Sequence, residues 1–216
     1  MKYRFLLIFL LWTPAALSLP ISGRVKVSGR PGGMNVPTIV YAEALDVKTP
    51  VQPGKFQLAQ RNKAFSPHLL AIPVGSTVGF PNEDLIFHNV FSLGKFDLGL
   101  YRNGESKSQT FASPATYRVF CNIHPQMAAV ILVLPTSYIT EVDAGGSYRL
   151  DLPAGRYRIT AWSERAQQTS TMEVTVGPGN SPSTELALDE SRFVELPHKD
   201  KNGRDYPRSA YGVKKP

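Results

Sequence analysis

The sequence predicts an all-β chain built from β-sandwiches, and three observations lead there. Eighteen prolines and seventeen glycines punctuate the 216 residues at short, regular intervals. Between them lie brief runs that alternate apolar and polar residues, with almost no 3.6-residue periodicity. The length suits one large or two small domains, each able to bury a core.

The first 18 residues, MKYRFLLIFLLWTPAALS, have the form of a secretory signal. Lys2 and Arg4 supply a basic start, Phe5 to Trp12 an apolar centre, and Ala16-x-Ser18 a small-residue cleavage site. The apolar centre is too short to span a bilayer, and no later run approaches the ~20 apolar residues a membrane helix needs. The expectation is a periplasmic or secreted protein without a membrane span.

Ile21 to Val27 and Pro37 to Leu45 read as strands around the turn Gly29-Arg30-Pro31-Gly32-Gly33. Residues 46–54, with two prolines and a glycine, read as a linker. Phe56 to Ala59 and the apolar run His68 to Pro73 follow, then a turn at Pro73-Val74-Gly75-Ser76. Thr77 to Phe80 and Phe87 to Ser92 are strands separated by Pro81-Asn82-Glu83-Asp84. The polar, glycine-containing stretch Gly94 to Lys107 reads as a loop. Gln109 to Ala112, Thr116 to Phe120 and Ala128 to Leu134 complete this block. Beyond Pro135, the stretch Asp143 to Ile159 alternates around two turns, and Thr171 to Val176 and Thr184 to Leu188 are further strands. From Ser191 the chain loses periodicity and gains charge, which reads as a disordered tail over 191–216 with His198 solvated.

Charge excludes one class of partner. Of the net +7, residues 1–18 carry +2 and the stretch from His198 to Pro216 carries six Lys/Arg against two Asp, or +4, which leaves +1 on the body. A neutral body with a basic tail does not offer a nucleic-acid-binding face.

Chemistry concentrates in Cys121-Asn122-Ile123-His124-Pro125-Gln126-Met127. This stretch holds the only cysteine, one of four histidines and one of four methionines. A lone cysteine in an exported chain forms no internal disulfide, so it is either a buried hydrophobe or a functional thiolate. Thiolate, imidazole and thioether are soft donors. A second imidazole from Phe87-His88-Asn89-Val90 completes a His₂Cys set with a weak axial Met, which suits copper in electron transfer. Each residue also has a plainer reading. Cys121 and Met127 taken singly are core residues, His88 is a satisfied half-buried histidine, and His68 is structural. Zinc accepts Cys and His, but Met is a poor ligand for it.

His-Asn on one strand followed by Cys-x2-His-x2-Met after another resembles the cupredoxins, or blue (type 1) copper proteins. The spacing, with Pro after the loop His, is most similar to amicyanin. The stretch from Gln57 to Leu134 also resembles plastocyanin-like and methylamine-utilisation-like proteins. The resemblance implies a Greek-key β-sandwich over 55–135 that binds one type 1 copper ion through His88, Cys121, His124 and Met127. It further implies that Asn89 pins the cysteine loop, and the fixed φ and missing N–H of Pro125 are expected to stiffen that loop. The segment Asp143 to Tyr157 resembles the carboxypeptidase-regulatory-like (transthyretin-like) sandwich. The opening strands of that family sit at Gly23-Arg24-Val25 and Thr38-Ile39-Val40, ahead of the copper block. Two arrangements stay open: a small sandwich over 19–48 and 136–190 with the cupredoxin inserted, or two sequential domains with an N-terminal extension.

The expected function is a non-enzymatic one-electron carrier, cycling Cu(II) and Cu(I) through the exposed edge of His124. Its partner would be a redox protein such as a cytochrome or a dehydrogenase, met through an apolar patch around Pro125 and Met34 or Pro81. The alternatives are a copper chaperone or sensor, and a binding module with a structural metal. A multicopper oxidase is disfavoured, because the chain has four histidines and no His-x-His.

Overall fold

The computed structural model describes residues 18–30, 36–46, 48–180, 182–195 and 197–206. The expected signal segment up to residue 17, Met34 and the end of the basic tail from 207 lie outside the described residues. Among those described, all regular structure is β, and no helix is long and apolar enough to cross a membrane. The strands are β1 (Ser18–Ser28), β2 (Ile39–Ala44), β3 (Lys55–Gln57), β4 (Ala59–Arg61), β5 (Ala64–Ser66), β6 (Leu69–Pro73), β7 (Thr77–Pro81), β8 (His88–Ser92) and β9 (Phe96–Tyr101). They continue as β10 (Ser106–Thr110), β11 (Ala115–Phe120), β12 (Ala128–Leu134), β13 (Ile139–Glu141), β14 (Ser147–Pro153), β15 (Gly155–Trp162), β16 (Ser170–Val176) and β17 (Ser183–Asp189).

Strands from the two ends of the chain share two sheets. β1 lies between β14, antiparallel to it, and β17, parallel to it. β2 lies between β13 and β15, with β16 beyond β15. Alternation decides which side chains face inward. Ile21 and Val25 of β1, Leu150 and Leu152 of β14, and Leu186 and Leu188 of β17 meet Val40, Ala42, Tyr157 and Ile159 of the facing sheet in one core.

Between β3 and β12, eight strands form a second pair of sheets, one ordered β10-β7-β3 and the other β6-β12-β11-β8-β9, and β4 and β5 pair as a separate hairpin. Their core contains Leu58, Ile72, Val78, Phe80, Val90, Phe111, Val119 and Ile131, together with Cys121 and Met127. β12 is apolar along its whole length (AAVILVL) because both of its faces are covered. Ala129, Ile131 and Val133 face this core, whereas Val130, Leu132 and Leu134 pack with Ile39, Leu69 and, at the margin, Trp162. That third cluster joins the two sandwiches.

Gly23 of β1 faces both neighbours, opposite Tyr148 on one side and Thr184 on the other. The Tyr148 and Thr184 hydroxyls are hydrogen-bonded to each other. A Cβ at Gly23 would overlap the hydroxyl and carbonyl oxygens of Thr184 and stand 2.8 Å from the Tyr148 ring. Overpacking of this kind costs about 1–3 kcal/mol. Gly23→Ala is therefore expected to lower the urea midpoint by that equivalent, and an unchanged midpoint would contradict the packing.

Several elements differ from the sequence reading. Gly94 to Lys107 is not a loop: it contains β9 and the start of β10. Phe96 and Leu98 pack against the core while Tyr101 is buried outright, and a register shift between Asn89 and Phe91 plus a positive φ at Gly99 break the alternation that would have revealed the strand. The hairpin β4–β5 turns through Asn62 and Lys63, both at φ 55°, a left-handed pair typical of tight hairpins. The described part of the tail is also folded. Residues 199–205 form a turn in which the Asp200 carboxylate accepts from the amides of Asn202 and Arg204.

Candidate metal centre

Three donor atoms converge at one end of the second sandwich. His88 begins β8, Cys121 directly follows β11, and His124 lies in the connection to β12. The Nδ1 atoms of His88 and His124 are 3.1 Å apart, and the Cys121 Sγ is 3.7 Å from each. His88 and Cys121 are fully buried, whereas His124 is partly exposed. This is the cluster of potential ligands found among the described residues.

The backbone shapes the loop tightly. The Met127 amide donates to the His124 carbonyl (2.9 Å), and the Cys121 amide donates to the Met127 carbonyl (3.2 Å), just outside the β11–β12 ladder. Met127 is buried in the same cluster as Cys121. The Asn122 amide donates to Asn89 Oδ1 (3.3 Å), so Asn89 ties the strand of one histidine to the loop of the other. Pro125 is buried, with its carbonyl 2.7 Å from His198 Nε2. It therefore forms no exposed patch.

Asp84 holds His88 from behind, with its Oδ2 2.8 Å from Nε2. The same carboxylate accepts from the amides of Asn62 (2.6 Å) and Lys63 (2.8 Å) at the hairpin turn. Burial opposes its charge, but the Lys63 amide, the His88 imidazole and the Asn62 amide outweigh that and hold the carboxyl below its ordinary range. An ionised Asp84 only accepts, so His88 Nε2 donates to it and Nδ1 is the ring nitrogen turned toward Cys121 and His124. Burial, reinforced by the nearby His88 and Lys63, pushes the His124 pKa down.

The donor set fits a soft or borderline first-row ion. Bonds of about 2.0 Å to nitrogen and 2.3 Å to sulfur from a common centre are compatible with the observed N–N and N–S separations. Aspartate behind a ligating histidine is a common outer-shell arrangement for such ions.

The other two histidines lie elsewhere. His68 Nε2 pairs with Glu164 (2.6 Å) and Nδ1 contacts the Ala128 carbonyl (3.2 Å). The Glu164 carboxylate raises the His68 pKa, against the opposing effect of burial. His198, expected to be solvated, stacks on Phe120 with ring centres 3.9 Å apart at 14°. Sequence reasoning missed Asp84 and Asp97. Asp84 stands four residues before His88, a spacing that offered a signal. Asp97 accepts from Asn89 Nδ2 (2.7 Å) but sits in a stretch read as loop.

No protein-family model matches the chain, and none of the curated proteins does. Among solved structures, it is similar to a copper-containing nitrite reductase from Thermus scotoductus SA-01, with 28% identity, a TM-score of 0.36 and 43% of this chain aligned; the match spans only 25% of the reductase chain. A purple cupredoxin from Nitrosopumilus maritimus aligns at 25% identity over 36% of this chain and 98% of its own, with a TM-score of 0.35. A reduced amicyanin variant aligns at 23% identity over 44% of this chain and 99% of its own, with a TM-score of 0.36.

Proposed function

We propose that the protein is an exported one-electron carrier holding one type 1 copper ion through His88, Cys121, His124 and Met127. The observation that carries this reading is the buried convergence of two Nδ1 atoms and one sulfur at 3.1 and 3.7 Å. Copper bound there would supply interconversion of the cupric and cuprous states. The thiolate and the Met127 thioether favour the reduced ion, while the imidazoles serve both states. Anchoring on β8, β11 and β12 limits rearrangement between them. Asn89 and Asp84 fix the orientation of the ligands.

His124 is the more exposed histidine, and apolar residues flank both ligand positions along the chain. Leu85 (92% exposed), Ile86 and Phe87 precede His88, and Ile123 precedes His124. Such a rim suits brief contact with a redox protein such as a cytochrome or dehydrogenase. It replaces Pro125, which the C-terminal segment covers.

The test is redox cycling of the copper-loaded protein in the presence of a Cu(I) chelator. The reading expects one electron per chain over many cycles with copper retained. Loss of copper to the chelator on the first reduction would overturn it in favour of a chaperone. Removal of the outer-shell partner is a second check. Asp84→Ala is expected to weaken copper binding about 10–100-fold in competition titrations, since His88 loses its fixed tautomer. Unchanged affinity would remove Asp84 from the site.

A further inference from the structure

The segment after β17 returns to the metal loop and contacts it at both ends. The His198 ring lies flat on Phe120, the residue before Cys121, and its Nε2 donates to the carbonyl of Pro125, the residue after His124. Tyr206 packs edge-on against His198, with ring centres 5.3 Å apart. Lys201 makes a second connection. Its ammonium donates to Asp97 Oδ2 (2.8 Å) and its amide donates to Asn122 Oδ1 (3.0 Å). Asp97 holds Asn89 through its other oxygen, and Asn89 accepts from the Asn122 amide. Lys201, Asp97, Asn89 and Asn122 therefore close a ring of hydrogen bonds. Two of its members directly follow the ligands His88 and Cys121.

We infer that His198 and Lys201 are positioning residues of the metal centre, clamping the Cys121–Met127 loop from outside. The loop's own bonds leave Asn122 and Pro125 to be fixed by other groups. Asn122 is held from one side by Asn89 and from the other by Lys201, and Pro125 is held through its carbonyl. The turn at 199–205 makes the clamp rigid: Asp200 accepts from two amides within it, and Lys199 pairs with Asp205 at 3.0 Å. The ion pair to Asp97 is about one-third exposed on both sides and adds little alone. The amide contact to Asn122 and the stacked His198 set the geometry. In its bearing on copper, this inference rests on the reading proposed above.

The test compares the full chain with a chain ending at Glu195 and with the single variants His198→Ala and Lys201→Ala. The shortened chain keeps β1 to β17 and Glu190, so the described sandwiches remain complete. Hydrogen exchange on the metal-free proteins is read first. The clamp expects the hydrogen-bonded amides of Asn122 and Met127 to exchange at least ~10-fold faster in the shortened chain, with β11 and β12 unchanged. Equal exchange in all four proteins would overturn it. The Cu(II)-loaded forms are read second, by transfer of copper to a chelator and by the visible and EPR spectra. Faster transfer and an altered spectrum in the His198 and Lys201 variants, at unchanged melting temperature, support positioning over a merely structural role. Identical spectra and transfer rates overturn it. If the full chain binds no copper, the functional reading fails while the exchange comparison still decides the clamp.

Discussion

Cys121→Ser is expected to weaken copper binding more than a hundred-fold while leaving the sandwiches folded. Cys121 is fully buried within the core cluster of the second sandwich, so a serine of similar volume keeps the packing. Its hydroxyl can hydrogen-bond to the imidazole Nδ1 atoms that now lie 3.7 Å from the sulfur. The thiolate, however, is the only anionic ligand in the proposed set. Structural zinc held by four ligands is worth about 10–16 kcal/mol, which sets the scale for a site of this kind. Loss of one ligand thus removes on the order of 3 kcal/mol, or more than a hundred-fold in affinity. Competition titration measures the affinity, and urea unfolding of the metal-free variant measures the fold. Retained affinity would exclude Cys121 from the site.

Arg30→Ala is expected to be the most destabilising change outside the cores. Arg30 grips Glu190 with two nitrogens, at 3.0 and 2.8 Å, and Ser163 donates to the same carboxylate at 2.6 Å. The Glu190 side chain is completely buried. This contact ties the end of β1 to the residue following β17. Removal of the arginine leaves a buried carboxylate without its cation, a change that costs about 3–5 kcal/mol. The pH dependence separates this cause from lost packing. In the parent, burial opposes the charge of Glu190, but Arg30 and Ser163 outweigh it and depress its pKa. That stability is present above the unfolded value of about 4.3 and is lost as pH falls. In the variant, only Ser163 and the more distant Arg165 oppose burial, so the folded pKa rises and acid protonates Glu190 and relieves the strain. The stability gap between parent and variant should narrow from pH 7 to pH 4. A gap independent of pH would assign the loss to packing alone.

The strands with clean alternation were legible in the sequence, as were the residues with the rarest chemistry. Cys121, His124 and Met127 stand within seven positions, and β14 and β17 alternate from end to end. What escaped was set by contacts between distant residues. β9 is disguised by the bulge opposite it and by Gly99, and the β4–β5 hairpin depends on two left-handed residues, one of them an ordinary lysine. Asp84 resembles any acidic turn residue until the fold brings its carboxylate to His88 and to the hairpin amides. The C-terminal segment was hidden most completely. Charge and missing periodicity predict disorder there, yet His198 and Lys201 are held by partners 73 to 104 residues away. No local pattern encodes such a contact.

In the proposed site, His88, Cys121, His124 and Met127 hold one copper ion with a thiolate ligand. The decisive measurement is the visible absorption spectrum of the purified protein loaded with one equivalent of Cu(II). An intense thiolate-to-copper charge-transfer band is expected, which disappears in Cys121→Ser and survives in His68→Ala. A Cu(II)-loaded protein that stays colourless would contradict it.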